Sequence, residues 1–180
     1  MRIKENTMDN IPTSDECIEL LKQVGCSEKV INHCKAVRDL AIKIAELAGA
    51  DIKLVEAGAL LHDIGRSKTH DTNHAVEGVK IAKKLKLPQN IINIIQKHIG
   101  AGLTEEEAKK LKLPKWDYIP RTLEEKIVCH ADNLINKNQK QPIEEEVEHA
   151  LKKGLNDYAI RLVKLHRELS EICGIDLNYV

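Results

Sequence analysis

The chain has no phenylalanine, and aromatic residues make up only 2% of it, one Trp and three Tyr. Stacking platforms for single-stranded nucleic acid are therefore scarce, and the core has to be built from Ile, Leu, Val and Ala. Net charge is also missing, because 28 basic residues balance 28 acidic ones. General nucleic-acid binders usually carry a basic excess, so nucleic acid is not the expected partner. No run approaches the roughly 18 consecutive apolar residues of a membrane helix, so no membrane partner is expected. Met1 to Thr13 carries charges but none of the apolar stretch that opens a secretory leader. The five cysteines, Cys17, Cys26, Cys34, Cys129 and Cys173, include no C-x-x-C pair. That excludes zinc-finger and thioredoxin readings, and free thiols in a reducing cytoplasm are the simplest account. The phosphate-cradling G-x-x-x-x-G-K-[ST] and G-x-G-x-x-G patterns are absent, as is the G-x-S-x-G nucleophile elbow.

What is present is helical. A 180-residue chain with 42% apolar and 31% charged residues suits one globular domain with a sizeable core. Apolar spacing follows the 3.6-residue period nearly throughout, and no convincing alternating strand stands out. Three capping boxes mark helix starts: Thr13 with Glu16, Thr104 with Glu107 and Thr122 with Glu125. Further helices are expected from Ser27 to about Ala48, from Asp51 through His62, from Asn73 to Leu85 and from Pro88 onward. The helix after Thr122 is expected to run to about Asn136, followed by helices from Pro142 to Lys153 and from Asn156 to Cys173. Gly65 to Thr72 reads as a polar loop. The string Ala-Lys-Lys-Leu-Lys-Leu-Pro occurs at 82–88 and at 108–114, which fits lysines complementing a helix C-terminus and proline stopping it. The expected architecture is all-α: an N-terminal helix in 1–26, a central unit over 27–136, and C-terminal helices over 137–180 packed on it. Stripes such as Leu155, Ile160, Val163 and Leu169 either complete the core or form a homo-oligomer contact.

The stretch Leu60-Leu61-His62-Asp63-Ile64-Gly65 carries the chemical signal. An aspartate at the end of an apolar helix is costly unless a cation or hydrogen bonds compensate it. His33 lies three residues after Val30 and four before Val37, His98 follows Ile94 and Ile95, and Asp132 lies between Val128 and Ile135. Separate helices thus each bring a metal-competent side chain toward the core. Imidazole and carboxylate together suit a borderline divalent ion, Mn, Fe, Co, Ni or Zn, with Mg as a harder alternative. Arg66 and Lys68 follow the doublet closely enough to hold a phosphate, the first by a bidentate fork and the second as a point charge. His70 lies in the same loop. His130, His149 and His166 read as ordinary surface or core residues.

The order His33, then His62-Asp63-Ile64-Gly65, then Asp132 resembles the HD-domain metal-dependent phosphohydrolase superfamily, over about residues 27–136. The resemblance implies an all-helical domain holding a first divalent ion by His33, His62, Asp63 and Asp132. A subgroup with a second ion is echoed by His74-Ala75-Val76-Glu77-Gly78 and by Lys97-His98-Ile99, where one histidine stands in place of an expected pair. The implied activity is hydrolysis of a nucleotide or other small phosphoester by a metal-activated water, with Asp63 catalytic. A nucleotide-sensing module with little turnover and a di-iron oxygenase on the same frame are the alternatives.

Overall fold

The computed structural model describes residues 10–180. Residues 1–9, part of the stretch read as lacking a leader, lie outside the described residues. Nine α-helices are described: α1 (Ser14–Gln23), α2 (Glu28–Ala48), α3 (Ile52–Leu61), α4 (His74–Lys84), α5 (Gln89–Lys97), α6 (Glu105–Lys110), α7 (Leu123–Asn133), α8 (Ile143–Lys152) and α9 (Asn156–Cys173). The protein is an all-α bundle, and none of its described helices is long and apolar enough to cross a membrane.

Each start has a local cause. The three capping boxes form as the sequence predicts, and the Ser27 and Asp51 side chains accept from the backbone N–H groups of Val30 and Leu54. Helix α2 turns its stripe of Val30, Cys34, Val37, Ala41 and Ile44 inward. Helix α3 is apolar nearly all round, with Leu54, Val55, Leu60 and Leu61 buried, so it can only be a central helix. It packs against α1, α2, α5 and α7. Gly58 lets α5 approach: a Cβ there would lie 2.6 Å from Ile94 Cδ1.

The C-terminal helices split their two stripes. Helix α9 packs on α2 and α7, burying Leu162, Leu165 and Leu169 in the core, while Ile160 stays 66% exposed. All five cysteines are free thiols, four of them buried. Burial pushes the Cys17 and Cys26 thiols up to about 12 and about 11, away from reactive thiolate.

The backbone departs from the sequence reading in a few places. Helix α7 stops at Asn133, and Ile135–Asn136 pairs with Gln139–Lys140 as a two-stranded hairpin, β1 and β2. The helical apolar spacing through Ile135 is real, but Asn136-Lys137-Asn138 supplies turn chemistry, with Lys137 at φ +58°. The polar loop after the doublet contains a 3-10 turn, Ile64–Ser67. Asn73 makes no side-chain cap; its N–H donates to the Asp71 carboxylate instead. The twin string proves to be a helix-ending device. Lys86 and Lys112 adopt left-handed φ of 55° and 57°. Leu87 and Leu113 N–H then donate back to the Ala82 and Ala108 carbonyls at 3.0 and 2.9 Å, the six-to-one bond of a Schellman ending.

Candidate metal centre

Four elements bring His33, His62, His74 and His98 together, and all four rings are oriented by one device. His33 Nδ1 faces the Lys137 carbonyl at 2.7 Å, His62 Nδ1 that of Ala59 at 2.7 Å, His74 Nδ1 that of Asp71 at 2.6 Å, and His98 Nδ1 that of Ile95 at 2.8 Å. A carbonyl only accepts, so each Nδ1 carries the proton and donates it. Every Nε2 then points inward. His62 and His98 achieve this alike, each closing a helix and bonding the carbonyl three residues back.

The inward nitrogens meet two carboxylates. His33 Nε2 lies 2.9 Å and His62 Nε2 3.5 Å from Asp132 Oδ1. His62 and His33 lie 3.7 and 3.9 Å from Asp63 Oδ2, while His74 and His98 lie 3.3 and 3.4 Å from Asp63 Oδ1. The Nε2 atoms of His74 and His98 face each other at 2.9 Å. With both Nδ1 positions protonated, two lone pairs meet beside a carboxylate oxygen, an arrangement that requires something positive between them. His62 Nε2 and Asp63 Oδ1 are buried with no hydrogen-bond partner, and such orphans in a well-packed interior need a cause. Two overlapping groups have metal-holding spacing: His33, His62 and Asp132, and His62, Asp63 and His98. A divalent cation fits this donor set.

Glycine lets His74 approach the cluster. A Cβ on Gly65 would fall on the His74 carbonyl oxygen and lie 2.5 Å from the Gly78 nitrogen. Gly78, one turn after His74, would itself place a Cβ 2.7 Å from Ile95 Cγ2. The 3-10 turn after the doublet therefore rests backbone-to-backbone on α4, which sets His74 beside Asp63.

The same cluster holds protons. Burial alone would lower the His62 imidazole, but Asp63 and Asp132 raise it to about 9. Burial opposes the Asp63 and Asp132 carboxylates too, yet His62 foremost holds both below the usual range. His74 is pushed down to about 4 by burial and by His98. A raised His62 stabilises the metal-free fold fully below its ordinary 6.5 and loses that contribution as pH rises through about 9. The depressed carboxylates contribute above 3.8 and lose it as pH falls. The melting temperature of metal-free protein should therefore drop between pH 6.5 and 9, and saturating metal should remove that drop because it replaces the proton. Calorimetric melts across that window check this; identical slopes with and without metal would contradict it.

Around the centre, Arg66 Nε donates to Asp63 Oδ2 at 2.5 Å and Nη1 to the His70 carbonyl at 3.2 Å, so Arg66 also orients the carboxylate. Lys68 is exposed and does not line the adjoining cleft, whereas Arg66, His70, Lys29 and Lys137 do. Lys29 and Lys137 escaped the sequence reading. Lys29 stands one turn before His33 on the same face, a usable signal, while Lys137 enters only through the hairpin. His130 turns away from the centre toward His166 Nδ1, 2.9 Å from its Nε2.

A family model described as HD domain matches residues 30–137. A tRNA (cytidine(56)-2'-O)-methyltransferase of Picrophilus torridus is 45% identical over 168 residues, 93% of this chain and 49% of its own length. The chain thus spans about half the length of that relative. An uncharacterized protein of Methanocaldococcus jannaschii is 41% identical, covering 88% of this chain and 97% of its own length. Among solved structures, the HD domain of the phosphodiesterase PgpH from L. monocytogenes superposes with a TM-score of 0.60 at 20% identity, over 89% of this chain and 95% of that one. That likeness concerns the fold.

Proposed function

The chain belongs to the HD-domain metal-dependent phosphohydrolase superfamily, and from that premise we propose that it hydrolyses a nucleotide or other small phosphoester using one or two bound divalent ions. The carrying observation is the convergence of four Nε2 atoms on two carboxylates, with His62 Nε2 and Asp63 Oδ1 buried and unpartnered. His33, His62, Asp63 and Asp132 would hold the first ion. His74 and His98 would hold the second with Asp63, whose Oδ2 lies toward His33 and His62 and whose Oδ1 lies toward His74 and His98. When bound, such ions polarise a phosphoryl oxygen and lower the pKa of water.

The chain's own groups do the rest. Lys29, Lys137 and the free N–H groups of Arg66 receive the phosphoryl oxygens, beside the N-terminal end of α2, whose dipole favours an anion. Lys68, in the same loop, draws the anion in as an exposed charge. Asp63 accepts a hydrogen bond from the attacking water, and the Arg66 Nε bond fixes the direction it offers. Burial of His62, His98 and Asp63 keeps bulk water from weakening these contacts.

Two expected results follow. Titrating metal-stripped protein should resolve one tight and one weaker ion, and His74→Ala should remove only the weaker; a single-site isotherm indifferent to His74→Ala would sink the two-ion version. The activity itself is tested by phosphate release or ester cleavage from metal-loaded protein over nucleoside monophosphates, sugar phosphates and dinucleotides. A relative of about twice the length is named for action on tRNA, so short RNA belongs in the panel. Turnover of at least one ester is expected, and none with any of Mn, Fe, Co, Ni, Zn or Mg would overturn the proposal.

A further inference from the structure

The metal centre opens to solvent on both sides of the hairpin turn at Lys137. One opening is the cleft of about 260 Å³ that holds His33 and Asp63 among its walls, with Lys29, Arg66 and Lys137 as its cations. The other is a larger cavity of about 490 Å³ walled by Asp132, Asn133, Gln141, Glu145, Glu146 and His149, with Lys137 again at its edge. The two lobes share Lys137, and one wall residue of each, His33 and Asp132, are in contact at 2.9 Å. Their chemistry is opposite: the smaller is cationic, the larger rich in carboxylate and amide oxygens. Glu146 already accepts from the Tyr158 hydroxyl at 3.1 Å, whereas the Glu145 side chain makes no hydrogen bond or ion pair and is exposed.

We infer that the larger lobe is the leaving-group subsite and selects an uncharged, hydroxyl-rich group such as a ribosyl unit, excluding esters with a second phosphate there. This rests on the phosphoester reading above. With the reacting phosphate on the cationic side, the ester oxygen directs the leaving group past Lys137 into the second lobe. Sugar hydroxyls donate, and the carboxylate and amide oxygens there accept. A second phosphate would meet Glu145 and Glu146 instead, and like charges at such contacts cost enough to exclude a partner.

Calorimetry on metal-loaded protein tests this with two hydrolysis-resistant probes, the methylene phosphonate analogue of adenosine monophosphate and the α,β-methylene analogue of adenosine diphosphate. In the second probe, seating the terminal phosphate at the metal places the next one in the acidic lobe. The monophosphonate should bind at least about tenfold more tightly, and Glu145→Lys should bring the two within about threefold. Equal or tighter binding of the diphosphate analogue by the wild type, or an unchanged ratio in Glu145→Lys, overturns the inference. If inorganic phosphate binds and neither nucleoside probe does, the subsite assignment falls and the hydrolase reading stands. If inorganic phosphate fails to bind as well, the phosphoester reading itself falls.

Discussion

Asp63→Asn is expected to lose metal-dependent turnover by roughly a thousandfold or more, the scale of removing several kcal/mol of charge stabilisation at a metal-assisted reaction. Among the described residues, Asp63 is the one side chain that faces all four inward imidazoles, at 3.3 to 3.9 Å, and it is almost fully buried. The amide keeps the shape but removes the negative charge, and its NH2 group offers a donor where a cation needs an acceptor. The loss should therefore appear without turnover as well. Wild-type protein at a hundredfold excess of metal over its dissociation constant should gain about 2.7 kcal/mol of stability, and the variant should gain little of it. An Asp63→Asn protein stabilised by metal as strongly as the wild type would contradict the assignment. Arg66 would also lose the carboxylate it bonds through Nε, so the metal-free variant should melt lower than the metal-free wild type.

Gly65→Ala is expected to be nearly as damaging for a different reason. The added methyl meets the His74 carbonyl oxygen and the Gly78 nitrogen, which are backbone atoms and cannot swing aside like a side-chain end. Relief requires the 3-10 turn and α4 to move apart, and His74 moves with α4. Overpacking against backbone should cost about 3 kcal/mol or more, at the upper end for single substitutions. For a chain of this size that lowers Tm by about 6 to 12 °C. The weaker ion should be lost before the tighter one, because His33, His62 and Asp132 do not depend on that contact. Gly58→Ala is the control: its methyl meets Ile94 Cδ1, the far end of a flexible side chain, so it should cost less and leave both ions in place. A Gly65→Ala protein with wild-type Tm and metal content would remove the backbone contact from the account.

Much of this was legible in the sequence because helical period and capping chemistry are local. The stripe of α2, the capping boxes at Thr13, Thr104 and Thr122, and the ends of α8 and α9 follow from residues within a few positions of each other. His33, His62, His98, Asp63 and Asp132 could be singled out because each lies on or at the end of an apolar face, where an uncompensated polar group is costly, whereas His74 came only from the family resemblance. The pairing of each Nδ1 with a carbonyl was not legible. His33 depends on Lys137, 104 positions away, and that contact exists only because a hairpin replaces the expected last turn of α7. The same hairpin brings Lys137 to the rim of both cavities, whereas Lys68, nearer the doublet in sequence, points to solvent. Proximity along the chain was a poor guide there because the 3-10 turn after Asp63 rotates successive side chains to different sides. Gly65 and Gly78 were visible only as parts of a motif, since the need for them arises where two backbones touch.

On the proposed reading the clustered imidazoles and carboxylates hold divalent metal. Elemental analysis of the full chain, purified without chelator, loaded with Mn, Fe, Co, Ni or Zn and freed of excess ion, tests it most directly. One tightly retained ion per chain and a second at higher free metal are expected, both released as the pH is lowered and protons compete for the imidazoles. Protein that retains no stoichiometric metal under any of these loadings would contradict it.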